Sequence, residues 1–196
     1  CPTLQDLLDY YMNGAGRKKT KKGMEDELYF VADVLNKDGI SEEKKAETLL
    51  VPESNEECPV NRTHLWRLKF KNGERRIAID AIVQNNLMHR AYSSFDEVMD
   101  CAISFLLPLP QIGRLAIYDI AKRIWWAQRH RGVKTGYVVL AQGAYAGARC
   151  IVGIIPKLRY KTDKSIFPVE LFKLDALYLE DFFCVMKNEL EILYNV

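Results

Sequence analysis

The residues of this chain that could do chemistry are mostly cationic, and they cluster. Between Pro110 and Lys164 stand eleven bases (Arg114, Lys122, Arg123, Arg129, Arg131, Lys134, Arg149, Lys157, Arg159, Lys161 and Lys164) against two acids, Asp119 and Asp163. From Glu25 to Glu57 the balance reverses, with eleven acids and three bases. A net charge of +2 therefore hides a local excess of the kind that neutralises phosphates. The excess begins at Leu109-Pro110-Gln111-Ile112-Gly113-Arg114-Leu115-Ala116. A Pro- and Gly-punctuated turn ahead of a helix presents amide N–H groups that the helix does not use, and the helix dipole adds positive potential there. Such a place favours an anion. The plainer alternative is an ordinary connection between two packed helices, with a basic face balanced by the acidic part of the chain.

Other constellations point to no reaction. There is no Ser-His-Asp ordering, no H-E-x-x-H motif and no clustered set of carboxylates. Glu180 and Asp181 are adjacent acids on a helix, expected to face solvent. Asp119 lies four residues before Arg123, a spacing that predicts an ion pair worth about a few tenths of a kcal/mol. Cys58 and His64 would offer two ligands to a metal, but the remaining histidines, His89 and His130, are remote in sequence. No metal and no cofactor are expected. Gly143-Ala144-Tyr145-Ala146-Gly147 lacks the Lys-Ser/Thr of a phosphate-binding loop and the glycine spacing of a dinucleotide site. Its small residues predict a tight packing element instead.

The turn at Leu109–Arg114 must be positioned by the stretch Phe95 to Arg129, which reads as helix, tight turn, helix. Ser94 with Glu97 three residues on is a capping-box spacing. Phe95, Val98, Met99, Ala102, Ile103 and Leu106 recur at helical spacing, and Pro108 and Pro110 stop that helix. A second helix starts at Arg114, with Leu115, Tyr118, Ile120, Ala121 and Ile124 inward. It closes on Trp125-Trp126, of which one packs in the core and the other lies near the surface.

Elsewhere the pattern predicts helices over Leu4–Tyr11, Met24–Leu35 and Glu42–Leu50, the last capped by Ser41. Arg17 to Lys22 reads as a basic loop. Leu65–Phe70 and Arg75–Ile79 alternate about Asn72-Gly73, the signal of a small β-hairpin, with one longer helix as the competing reading. Asp80 to Arg90 is expected to be helical. Asp175 caps a last helix whose apolar stripe runs from Leu179 to Leu193. The expected fold is mostly α, a helical domain with a helix-hairpin-helix unit and one small β-hairpin. It forms one domain over 1–196, with a possible N-terminal helical lobe 1–57.

The segment Leu109–Ala116 resembles the hairpin of the helix-hairpin-helix superfamily, usually L-P-G-[IV]-G-x-x-[TA], with Gln111 in place of the first glycine. The resemblance covers the hairpin and its flanks. It implies that hairpin amides and the following helix N-terminus hold a DNA phosphate, so Gln111, Ile112, Gly113 and Arg114 become binding residues. Lys122, Arg123 and Arg129 join them on charge. Tyr137–Ala141 resembles the V-Y-L-H-A-G-like stretch of uncharacterised bacterial members of that superfamily, with Ala141 at the histidine position, so no histidine role carries over. DNA glycosylases of the superfamily place a catalytic Asp well past the hairpin at a helix start. Here Asp119 lies too close to Gly113, and no acid follows before Asp163.

No apolar run is long enough to span a membrane, and no basic-start, apolar-middle signal segment is present. Five cysteines, an odd number without a CxxC pair, fit a reducing cytoplasm. Cys1 is read as a trimmed terminus rather than a lipid-modified cysteine. The expectation is a cytoplasmic protein that binds nucleic acid, duplex DNA first. The alternatives are a DNA-repair-type enzyme of the glycosylase or nuclease kind whose active site is not located, and a protein-interaction module.

Overall fold

The computed structural model describes residues 2–16, 19–50, 70–71, 73–129, 132–133, 135–140, 142–155 and 161–194. In chain order they form α1 (Leu4–Asn13), α2 (Lys21–Asn36), α3 (Glu42–Leu50), α4 (Glu74–Gln84), α5 (Phe95–Leu106) and α6 (Arg114–Arg129). Then come β1 (Tyr137–Val139), α7 (Gln142–Val152), β2 (Lys161–Asp163), α8 (Ala176–Val185) and α9 (Lys187–Tyr194). Two 3-10 turns, Lys164–Ile166 and Val169–Lys173, lead from β2 towards α8. The fold is mostly helical with one small antiparallel sheet, β1 on β2, in the register Tyr137↔Asp163, Val138↔Thr162 and Val139↔Lys161.

The sheet is not the hairpin expected about Asn72-Gly73. Leu65–Lys69 and Asn72 lie outside the described residues, and Arg75–Ile79 belongs to α4. Ala78 and Ile79 are both buried while Ile77 is exposed, so the buried positions do not alternate. With Ile82 they follow the helical period instead. The turn before α4 is a helix start: the Glu74 carboxylate accepts the Lys71 N–H at 2.7 Å, and the Lys71 carbonyl accepts the Glu74 N–H at 2.9 Å. Helix over the whole of 80–90 also stops short, because α4 ends at Gln84 and Asn86 takes φ +52.

The chain divides into two compact units, one of Asp26–Arg131 and one of Cys1–Glu25 with Gly132–Val196. The division falls within α2 and after α6, not at the acidic stretch ending at Glu57.

In the Asp26–Arg131 unit the helix pair expected from Phe95 to Arg129 is present as α5 and α6. Ser94 Oγ accepts the Glu97 N–H at 3.2 Å, and the Glu97 carboxylate accepts from the Ser93 N–H and hydroxyl at 2.7 Å each. The box thus closes one residue earlier than its usual form. Phe95, Val98, Met99, Ala102 and Leu106 are buried, and the Phe95 ring meets the Tyr118 ring edge-on at 5.8 Å. Trp126 is fully buried, edge-on to Tyr29 at 5.4 Å, while Trp125 is half-buried. Asn36 donates to the Ala127 carbonyl at 3.1 Å, tying α2 to α6.

In the other unit α7 lies against α8 and α9. The small residues of α7 are its contact surface: Ala144 and Ala148 are fully buried, and a Cβ on Gly147 would lie 2.1 Å from the Phe183 carbonyl oxygen. Only glycine permits that approach. Asp175 caps α8 by accepting the Leu177 and Tyr178 N–H groups at 2.9 and 3.2 Å. The last helix is broken at Met186, giving α8 and α9 where one was expected. Glu180 and Asp181 do not face solvent. Both are buried, and Tyr11 donates its hydroxyl to Asp181 at 2.9 Å, a partner 170 positions away in sequence.

Candidate functional site

The turn between α5 and α6 is held from within. The Leu109 N–H donates to the Leu106 carbonyl at 3.0 Å and the Ile112 N–H to the Leu109 carbonyl at 3.4 Å. Ile112, 4% exposed, anchors the turn in the core. Its neighbours point the other way: Pro108, Pro110, Gln111, Gly113 and Arg114 are exposed. Alternate burial about one apolar anchor fixes which backbone faces water. Gly113 stands at the N-cap position of α6, with its carbonyl accepting the Ile117 N–H at 3.1 Å.

Two residues of the turn are unusual in opposite ways. Gln111 adopts φ +67, the left-handed region that glycine occupies without strain. This is the position where the hairpin pattern carries its first glycine. Gly113 has no positive φ, and a Cβ built on it would meet nothing within 4 Å. No contact with the described residues asks for a glycine there.

Two of the cations assigned to phosphate are corrected. Arg123 is 0% exposed: its Nε and one terminal nitrogen donate to Glu27 Oε1 at 3.2 and 2.7 Å, and the other terminal nitrogen donates to the Leu49 carbonyl at 2.7 Å. Lys122 is 5% exposed, with Nζ 3.3 Å from Asp119 Oδ1 and 5.4 Å from the centre of the Tyr118 ring. Beside the expected Asp119–Arg123 spacing, the fold brings Asp119 to Lys122 and Glu27 to Arg123. The cause is the burial of α6, which is continuous from Ala116 to Ile124. A charge inside such a helix must be paired where it stands. Asp119, buried and paired with Lys122, is not presented to a substrate. Arg129 ends α6, and its side chain lies outside the described residues.

Of the rest of the basic block, Arg131, Lys134, Lys157 and Arg159 lie outside the described residues. Arg149, Lys161 and Lys164 belong to the other unit. There the Lys164 ammonium donates to the Leu174 carbonyl at 2.8 Å, and Lys161 lies 4.5 Å from the Tyr137 ring centre. Of the proposed set, the turn brings Gln111, Gly113 and Arg114 together on the surface and turns Ile112 inward. Glu27 was missed by sequence reasoning, because no local spacing links positions 27 and 123.

Among the described residues no three His, Cys, Asp or Glu side chains converge as a metal would need. Cys58, His64 and His130 lie outside them. No helix among the described residues is long and apolar enough to cross a membrane. One further opening, of 420 Å³, lies between the C-terminal end of α7 and α9, lined by Ala146, Arg149, Cys150, Gly153, Ile154 and Glu191. Burial, with the charge of Glu191, pushes the Cys150 thiol up, so it is not poised as a nucleophile. No family model, curated protein or solved structure matches the chain.

Proposed function

We propose that the Gln111–Arg114 turn binds a phosphate of nucleic acid, in the first instance duplex DNA. The observation that carries the reading is Gly113: an exposed glycine at the head of a 16-residue helix, with ordinary backbone and open space where its side chain would be. A missing side chain that no described residue requires leaves room for a ligand to approach the backbone. The positive end of the α6 dipole and the exposed Arg114 favour an anion at that spot. The likeness of Leu109–Ala116 to the helix-hairpin-helix pattern points to the same ligand.

The contact is small. With Lys122 and Arg123 committed to interior acids, the turn neutralises about one or two phosphates, so a plot of log K against log [salt] has a slope of about −1 to −2. Fluorescence anisotropy of a labelled duplex, titrated at several KCl concentrations, tests this. Weak binding with that slope agrees with the proposal. Absence of binding at low salt, or a slope near zero, contradicts it.

A further inference from the structure

We draw no further inference here: the strongest candidate, the surface patch of exposed Ile166, Val169 and Phe172 along the two 3-10 turns between β2 and α8, is an apolar face and nothing in the structure shows what covers it.

Discussion

The two units bury charge in different ways. In Asp26–Arg131, buried cations of α6 meet buried acids: Arg123 with Glu27 at 2.7 Å and Lys122 with Asp119 at 3.3 Å. In the unit of Cys1–Glu25 and Gly132–Val196, the buried Asp181 of α8 accepts from the Tyr11 hydroxyl, and the half-buried Asp175 caps α8 by accepting from the Leu177 and Tyr178 N–H groups. The surfaces differ too. Among the described residues Tyr10, Ile154, Ile166, Val169, Phe172, Ile192 and Tyr194 are exposed in the second unit, against Tyr29 and Ile77 in the first. The first unit commits Lys122 and Arg123 to interior acids, and the second leaves apolar groups in water. A count of basic residues along the chain therefore overstates the charge available to a ligand.

The largest test of that contrast is Arg123→Met. It leaves Glu27 buried without its guanidinium partner and should cost about 3–5 kcal/mol in urea unfolding. The double variant Glu27→Leu/Arg123→Met should recover most of the loss, since replacing both members of a buried pair is often near neutral. An equally unstable double variant would mean that the ion pair is not what Arg123 contributes. Next is Gly147→Ala in the second unit. The added methyl meets backbone rather than a movable side chain, so α7 and α8 must separate, at about 2–3 kcal/mol by the same assay.

Those two positions also separate what was legible from what was not. The caps at Ser41, Ser94 and Asp175, the Pro-Gly turn and the small-residue segment of α7 are local signals, each within a few residues of what it explains. They marked helix starts and a tight contact. Burial of Lys122, Arg123, Glu180 and Asp181 depends on partners such as Glu27 and Tyr11, brought close by the tertiary fold, and no spacing along the chain encodes it. Arg75–Ile79 failed for another reason. Over five residues an alternating pattern and a helical one overlap, and burial of both Ala78 and Ile79 decided between them.

A pH titration sharpens the comparison with opposite signs. Burial raises the Asp175 carboxyl above its usual range, so the fold favours its protonated form. Its contribution is fully present below the unfolded carboxylate value, about 3.9, and is lost as pH rises through the raised value. The Ser93 amide and hydroxyl hold Glu97 below its usual range. Its contribution is present above the unfolded value, about 4.3, and is lost as pH falls through the lowered one. Denaturation from acid to neutral pH should show that Asp175→Asn removes a loss of stability on the way up. Glu97→Gln should remove a loss on the way down. The reverse assignment would contradict the burial of Asp175. The smallest effect is Gln111→Gly, which relieves the left-handed strain but loosens the unfolded chain. It should raise stability by less than about 1 kcal/mol in thermal melts.

The central claim is that the head of α6 takes an anion, and Gly113→Asp tests it most directly. Aspartate is a favoured N-cap and its charge suits the helix dipole, and the space beside Gly113 is open, so the melting temperature should hold or rise. The same carboxylate would occupy the place of a phosphate and repel it. The account predicts that, in low salt, wild type binds labelled duplex DNA and Gly113→Asp does not, with both folded. Equal binding by the two proteins would contradict it.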